Sequence, residues 1–300
     1  MLKISIVSPS FNQAKFLENC LLSVKEQNYP NVEHIVVDGG SSDGSVEILR
    51  WYSGLPGWSH LRWISEPDRG QSDALNKGFR MAKGDVIGWL NSDDFYLQGC
   101  FQRVAEAFEE RPGTDVLYGD YIWTDENGRP TQIRREIAFS RFVLLHSHVS
   151  YINSSGALFL LRRFIEDGCL LNEDYHYAMD YEFYLRLANA GYCFCHVPNL
   201  LSGFRWHGSS KSTAQTKCQA VEYEKARIEH LRITGRLRPG ATGRFALAFL
   251  RAVASGRRWS EKASRGYYFT QFFPARVKGL MRRSPDDSIA KGSSEHMPGL

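Results

Sequence analysis

Short apolar runs alternate with amphipathic segments along the first hundred residues of the chain. The apolar runs predict strands at 4–8, 32–37, 61–65 and 86–90, because each is short and followed by polar residues. Between the first two runs Phe16, Cys20 and Val24 share one helical face. Alternating strands and helices predict an α/β fold with a parallel sheet and right-handed crossovers.

Each predicted strand ends in a polar segment. These segments are Pro9 to Gln13, Asp38 to Gly44, Glu66 to Asp73 and Asn91 to Asp94. Ligands of open α/β sheets bind outside the carboxyl ends of the strands. The sequence therefore predicts a binding site where these four segments meet.

Asp93 and Asp94 place two carboxylates side by side at the end of the fourth strand. Adjacent acids repel each other and lose hydration when they are buried, so a cation is a natural partner. The alternative is a solvated loop in which one of the two acids caps the next helix.

Four linked motifs carry a resemblance to a known family. They are SIVSPSFNQ, YPNVEHIVVDGGSSDGS, EPDRGQSDALNKG and GWLNSDD. In this order and spacing they resemble the nucleotide-sugar domain of family 2 glycosyltransferases, of the type that builds bacterial cell-surface polysaccharides. Linked motifs are far more specific than a lone pattern.

The resemblance implies a GT-A fold, a Rossmann-like sheet that is mainly parallel and flanked by helices. We expect a catalytic domain over 1–212, in which 1–98 bind the nucleotide sugar and 99–212 bind the acceptor. A helical, basic and amphipathic extension should follow over 213–284, and a disordered tail over 285–300.

Family likeness also implies a nucleotide site. It places Asp38 against the nucleoside base, with Pro9 and Phe11 lining the pocket and Gly39 permitting close approach. An Asx turn beginning at Asp38 is the alternative. A uracil or a guanine could be recognised by such a carboxylate, and we expect a UDP-linked donor.

Arg69 and Asp73 should lie along the nucleotide and its diphosphate by the same resemblance. Arg69 suits phosphate because its guanidinium donates a fork of hydrogen bonds. Asp73 could equally be a first-turn residue favoured by the helix dipole. Downstream, Lys211 is expected to contact the diphosphate.

The family pattern assigns Asp93 to the ribose and Asp94 to a metal ion, either Mg²⁺ or Mn²⁺. Asn91 stands where relatives often have Asp; it removes a charge but keeps an acceptor oxygen. His207 resembles the histidine that reaches the metal or diphosphate in GT-A enzymes, although a lone histidine is usually structural.

Asp180 matches the aspartate that acts as general base in the family, just before a predicted helix. Met179 replaces the usual Glu, and Glu182 is a competing candidate on another side of the helix. Asp180 could also be a simple N-cap. A single carboxylate base fits direct displacement with inversion.

Composition supports this assignment and adds one feature. The chain begins Met1-Leu2-Lys3 directly before the first strand, so we expect no signal peptide and a cytoplasmic protein. The six cysteines have no zinc spacing and are expected to be reduced. The net charge of +4 conceals a balance of +11 between Gly235 and Ser284, against −7 in the remainder.

The basic stretch within 236–283 has aromatic residues among its cations. Phe245, Phe249 and Val253 fall on one helical face, with Arg251 and Arg258 opposite. This pattern is typical of peripheral binding to an anionic inner leaflet. The alternative is a helical flap whose apolar side covers the catalytic domain. No motif supports nucleic-acid binding.

The function expected is metal-dependent, inverting transfer of a sugar from a nucleotide-diphosphate donor to a hydroxyl of a glycan or lipid-linked oligosaccharide. A sugar-phosphate nucleotidyltransferase is disfavoured because 9–13 lack a Gly-rich basic loop. A processive synthase is excluded because Ser202 replaces the Gln of its motif and no membrane spans are present. A nucleotide-sugar-binding protein without activity stays possible, although the retained acids argue against it.

Overall fold

A computed structural model describes residues 1–147, 150–208, 216–235 and 241–270. Its strands form one mixed sheet in the order β3-β2-β1-β4-β8-β6-β9-β5, with β7 paired to β6. The strands are β1 (Ile4–Ser10), β2 (Val32–Asp38), β3 (Leu61–Ser65), β4 (Val86–Trp89), β5 (Phe95–Tyr96), β6 (Val116–Thr124), β7 (Pro130–Arg134), β8 (Leu158–Leu161) and β9 (Phe194–Arg205). The helices are α1 (Ala14–Lys25), α2 (Ser45–Gly54), α3 (Gln71–Met81), α4 (Cys100–Glu110), α5 (Arg141–His146), α6 (Arg163–Glu166), α7 (Met179–Asn189), α8 (Thr216–Ile233), α9 (Ala241–Ser264) and α10 (Tyr267–Thr270).

The first four strands follow the predicted α/β pattern. β1 pairs in parallel with β2 and β4, and β2 pairs in parallel with β3. β1 continues two residues beyond the predicted end because its pairing runs on until Ser10 meets Asp38. This register brings the carboxyl ends of β1 and β2 level with each other.

The second half of the sheet is assembled differently. β8 runs antiparallel to both β4 and β6, while β9 runs parallel to β6. β6 and β7 form a hairpin, and Asp125, Asn127 and Gly128 between them are typical turn residues. The mixed sheet and its flanking helices therefore confirm the expected fold class.

Helix α3 packs closely on the sheet where Gly78 faces Val7. A Cβ at Gly78 would lie 2.3 Å from Val7 Cγ1, so a glycine permits this approach. Leu75 and Phe79 on the same helix are fully buried with Val7 and Val37 of the sheet. This packing fixes the start of α3 beside the ends of β1 and β2.

The C-terminal helices pack on the catalytic domain. Arg251 and Arg258 of α9 face inward and pair with Glu224 and Glu136, whereas Phe249 is 68 % exposed. The extension thus packs as a flap, which was one of the two interpretations of this segment. The face of α9 that points inward carries Arg251 and Arg258, whereas the face with Phe249, expected to be covered, is exposed.

The cations of α9 that face the protein form ion pairs. Arg251, Arg258 and Lys262 are engaged by carboxylates of the protein and not simply displayed on a surface. No helix in the described part of the chain is long and apolar enough to cross a bilayer. Contact with a membrane surface stays a prediction, and residues 271–300, including the predicted disordered tail, lie outside the described residues.

Candidate functional site

Asp38 ends β2 and organises the loop that follows. Its carboxylate accepts hydrogen bonds from the backbone N–H groups of Gly40 and Ser41 at 3.1 and 2.9 Å. The hydroxyls of Ser41 and Ser65 donate to it at 2.5 and 2.7 Å. The turn considered as an alternative is thus present, and the contact with a nucleoside base stays a prediction.

Phe11 and Gly39 face each other across the ends of β1 and β2. A Cβ on Gly39 would lie 3.3 Å from Phe11 Cδ2 and 2.6 Å from Asp68 Oδ2. Phe11 is 59 % exposed to solvent, which is unusual for a large aromatic residue. Pro9 joins the same rim through its carbonyl, which accepts a hydrogen bond from the Ser92 hydroxyl at 2.9 Å.

Arg69 and Asp73 lie together at the start of α3. Asp73 is buried and accepts from the Arg69 backbone N–H at 3.1 Å and from its guanidinium at 3.3 Å. The guanidinium also pairs with Glu173 at 2.5 Å, yet three quarters of the Arg69 side chain is exposed. Asp73 holds this loop, and Arg69 presents an accessible cation beside the rim.

Asp93 and His207 come together from distant parts of the chain. His207 Nε2 lies 3.0 Å from Asp93 Oδ2, and the imidazole ring lies 4.6 Å from the ring of Phe16. The His207 side chain is almost fully buried, whereas that of Asp93 is 18 % exposed. The predicted metal-ligand role of His207 is not tested by this pairing, which joins it to the neighbour of Asp94.

Asp94 is buried with one oxygen bound and the other open. Its Oδ1 accepts from the backbone N–H of Arg205 at 2.7 Å, and the Ser155 hydroxyl also interacts with this carboxylate, whereas the buried Oδ2 has no hydrogen-bond partner of good geometry among the described residues. Burial, and then the charge of Asp93, raise the pKa of Asp94 well above its ordinary value. A bound cation would offset both costs, because it would give Oδ2 a partner and add to the positive charge of the nearby Arg205.

The protein can supply only some of the ligands that a hard divalent ion requires. In the described ranges, no three His, Cys, Asp or Glu side chains are grouped to hold a metal ion by themselves. Mg²⁺ commonly takes one or two carboxylates together with substrate phosphates and waters. The open oxygen of Asp94 provides one such carboxylate.

Asn91 ties the paired acids to two other elements. Its Oδ1 accepts from Gln71 of α3 and from the Trp89 indole, both at 2.8 Å, and its backbone N–H donates to Ser155 Oγ at 2.9 Å. The side-chain oxygen of Asn91 is therefore occupied by hydrogen bonds from Gln71 and Trp89. Asn91 positions the loop in which Asp93 and Asp94 lie.

The segment around Ser155 also leads to Asp180. Ser154 is hydrogen-bonded to the Asp180 carboxylate, and the next residue, Ser155, binds the Asn91 backbone. A second link runs through α3, where the Ser72 hydroxyl lies 3.0 Å from Met179 Sδ. The segment 154–155 and the start of α3 therefore each contact both the turn that carries Asp180 and the loop that carries Asp93 and Asp94.

Asp180 lies in the first turn of α7, and burial raises its pKa to about 6. Its carboxylate accepts from the Tyr181 backbone N–H at 2.7 Å. Glu182, the competing candidate, is engaged by Arg186 at 3.0 Å in a pair one helical turn apart. Asp180 is thus the acid with a raised pKa, whereas Glu182 serves an ion pair, and the assignment of Asp180 as the base stays a prediction.

Glu222 of α8 caps the start of α7 from outside the helix. Its carboxylate accepts from the backbone N–H groups of His176, Tyr177 and Ala178 at 3.0, 2.7 and 2.9 Å. Unpaired N–H groups at a helix start attract negative charge, so this contact stabilises the turn that carries Asp180. The extension thereby supports the candidate site.

Three of these residues were missed at the level of sequence. Arg205, Ser155 and Glu222 act through contacts that span long separations in the chain, so no local pattern marks them. The sequence signal for Arg205 is the Arg205-Trp206 pair of the processive-synthase motif, whose Gln is replaced here by Ser202. Lys211, predicted to contact the diphosphate, lies outside the described residues.

Known proteins resemble this chain in sequence and in fold. The sequence profile of glycosyl transferase family 2 matches residues 5–169, which is more than half of the chain. The chain belongs to glycosyltransferase family 2. It is 29% identical over 192 residues to the uncharacterized glycosyltransferase EpsJ of Bacillus subtilis, covering 61% of this chain and 55% of EpsJ.

A second curated relative is the PGL/p-HBAD biosynthesis glycosyltransferase of Mycobacterium bovis, 34% identical over 126 residues, covering 42% of this chain and 49% of that protein. The chain thus spans about half the length of the curated relatives it matches. The family assignment therefore rests on the N-terminal half, where the rim motifs lie.

Solved structures confirm the GT-A fold. TarS 1-349 from S. aureus, in complex with UDP-GlcNAc, superposes with a TM-score of 0.61 at 18% identity, covering 92% of this chain and 76% of that one. The mannosyltransferase PcManGT from Pyrobaculum calidifontis, in complex with GDP-Man and Mn²⁺, gives 0.59 at 16% identity, covering 96% and 79%.

Proposed function

We propose that this family 2 protein is a metal-dependent, inverting glycosyltransferase that moves a sugar from a nucleotide-diphosphate donor to a hydroxyl of a glycan or lipid-linked acceptor. The observation that carries the proposal is the buried, unpartnered Oδ2 of Asp94 beside Asp93. Two acids at the carboxyl end of a parallel strand suit the recognition of a cation together with a diphosphate.

In this proposal the N-terminal rim binds the donor. Phe11 and Gly39 line the nucleoside pocket, and the turn built on Asp38 shapes it. Arg69 donates to a phosphate oxygen, for which its exposure leaves it available. Asp93, held by His207, contacts the ribose.

The metal would be held by Asp94, with His207 as the other predicted ligand, and either Mg²⁺ or Mn²⁺ would suit this oxygen-rich set. When bound, such an ion neutralises the charge that develops on a diphosphate leaving group. Arg205 supports Asp94 through its backbone N–H and adds a buried positive charge beside the paired acids.

Asp180 would remove the proton from the acceptor hydroxyl as that oxygen attacks the anomeric carbon. The new carbon–oxygen bond forms while the bond to the diphosphate breaks, and the proton is transferred to the carboxylate. A base whose pKa is about 6 is ionised at neutral pH but still basic enough to accept this proton. Direct displacement of this kind inverts the anomeric configuration.

UDP-linked sugars are the donors proposed first, because the structural neighbour TarS 1-349 is in complex with UDP-GlcNAc. PcManGT, in complex with GDP-Man and Mn²⁺, makes GDP-mannose the second candidate. Polysaccharide biosynthesis is the process we propose, and the cytoplasmic face of the membrane is the place where such donors are consumed.

A donor screen tests the proposal. The full chain is incubated with UDP- and GDP-linked sugars, with and without Mn²⁺, and release of free nucleoside diphosphate is measured. We expect release from one class of donor that requires the metal and that Asp180→Asn diminishes. Binding of a nucleotide sugar with no turnover in the presence of any tested acceptor would favour a binding protein instead.

A further inference from the structure

A cavity of about 300 Å³ lies between the inner face of α9, α10 and the chain that leaves β7. Its volume is at the lower end of the range for small-molecule sites. Four cationic side chains line it, together with serines and aromatic rings. The cations are Arg134, Arg135, Arg258 and Lys262.

These cations outnumber the acids that neutralise them. Arg134, Arg258 and Lys262 converge on the single carboxylate of Glu136, at 3.9, 2.9 and 2.8 Å. Arg135 pairs with Asp120 at 3.4 Å. The cavity therefore carries two positive charges in excess, which matches the charge of a phosphate monoester at neutral pH.

Burial makes this excess costly. Lys262 is largely buried, and desolvation lowers its pKa, with the neighbouring Arg258 acting in the same direction and Glu136 opposing it. A bound anion would relieve the repulsion among the cations.

The lining of the cavity changes from polar to apolar toward solvent. Trp259 belongs to the lining and is 63 % exposed, with its ring 6.3 Å from that of Tyr268. A phosphate that carries a hydrocarbon chain therefore suits this surface better than a free anion.

Electrostatic interactions extend from the cavity toward the candidate base. The charges of Glu136, Arg134 and Arg258 act on the hydroxyl of Tyr121. Tyr223 in turn interacts electrostatically with Asp180 and Tyr121. Two tyrosines thus connect the cationic lining with the carboxylate proposed to deprotonate the acceptor.

We propose that this cavity binds the phosphate or diphosphate headgroup of a lipid, with the hydrocarbon chain lying along Trp259. Naming that lipid as the acceptor rests on the proposed transferase function, whereas phosphate binding does not. Arg258 and Lys262 of the extension then join Arg134 and Arg135 in a pocket for one headgroup instead of belonging to a diffuse patch on an anionic membrane.

The test uses the full chain in EDTA, so that no divalent ion supports binding at the donor site. Cosedimentation with phosphatidylcholine vesicles, with and without phosphatidic acid, measures lipid-borne phosphate, and calorimetry with inorganic pyrophosphate measures the free anion. Arg258→Gln and Arg135→Gln remove cavity cations from two different elements. Arg251→Gln is the matched control, because Arg251 is on α9 but pairs with Glu224 outside the cavity.

We expect phosphatidic acid to recruit the protein, and each cavity variant to weaken binding at least about tenfold, the usual effect of losing a charged hydrogen bond. Arg251→Gln should bind as the unmodified chain does. Pyrophosphate binding with the same variant dependence but no vesicle recruitment would support a free phosphate ligand in the same cavity.

Equal weakening by the control and the cavity variants would overturn the proposal, because general charge would then explain binding. Failure of both probes to bind would overturn it as well. Thermal unfolding of each variant separates loss of binding from loss of fold. Asp94→Asn should leave phosphate binding in the cavity unchanged, so failure of this inference is distinguishable from failure of the donor-site proposal.

Discussion

The two halves of the catalytic domain build their shares of the site in different ways. In the first half, β1, β2 and β4 end at one edge, and each delivers the residues that follow it directly in sequence. In the second half, Ser155 and Arg205 reach the site through contacts across long sequence separations, as does Glu222 of the extension that follows. The donor rim is thus encoded locally, whereas its support is encoded by tertiary packing.

This difference separates two kinds of contribution. The locally encoded residues carry the groups that would meet the donor, and the distant ones fix their orientation. We therefore expect substitutions in the first group to change binding or chemistry directly. Substitutions in the second group should act more weakly and through the order of the neighbouring loop.

Asp180 offers the largest expected effect and the sharpest test of this comparison, since it lies in the second half but is proposed to act chemically. Asp180→Asn should reduce transfer by roughly 10²–10⁴-fold, the usual contribution of a general base. Steady-state transfer with a verified acceptor measures it. Glu182→Gln is the matched control two residues away and should retain most activity, because Glu182 serves a pair with Arg186. Equal losses in both variants would contradict the assignment.

The pH dependence of transfer follows from the raised pKa of Asp180, about 6. The carboxylate must be ionised to accept a proton, so activity should be full above neutral pH and fall as pH drops through 6. Between pH 7 and pH 5 we expect a decrease of about tenfold in kcat/KM. The residual activity of Asp180→Asn should lack this acid limb; an unchanged limb would assign the titration to another group.

Features encoded by local sequence could be predicted, whereas features that depend on tertiary packing could not. The strands, the rim motifs and the hairpin at 125–128 follow from local patterns of apolar and turn residues. The inward orientation of the basic face of α9 does not, because it depends on Glu136, whose burial the sequence does not reveal. An amphipathic helix specifies two faces, but the partner decides which one is covered.

Glu222 tests the supporting role of α8. Glu222→Gln keeps the shape but removes the negative charge at the start of α7, so the free energy of unfolding should fall by about 1 kcal/mol. Activity should fall several-fold, because the turn that carries Asp180 loses order. Thermal unfolding and transfer rates measure the two effects.

Glu224→Gln, on the same helix, provides the comparison for Glu222. The substitution removes a charge that pairs with Arg227 and Arg251. Neither of these partners belongs to the start of α7. We expect a similar small change in stability with unchanged transfer. A loss of activity as large as that of Glu222→Gln would show that general stability, and not the cap, controls the rate.

Gly39 should give the smallest effect. In Gly39→Ala the new Cβ would lie 2.6 Å from Asp68 Oδ2, a contact that a shift of this side chain can relieve. We therefore expect little change in stability and a rise of a few-fold in the KM for the donor, with kcat retained. A change in kcat with an unchanged KM would place Gly39 outside the nucleotide pocket.

The central claim is that Asp94 holds the cation that accompanies the donor diphosphate. Calorimetry of nucleoside diphosphate binding, with and without Mn²⁺, tests it most directly in the unmodified chain and in Asp94→Asn. The Asn side chain keeps an oxygen for the Arg205 N–H and relieves the repulsion from Asp93, so the variant should remain folded. We predict that Mn²⁺ strengthens binding to the unmodified chain and has no effect on Asp94→Asn. Equal strengthening by Mn²⁺ in both proteins would contradict the claim.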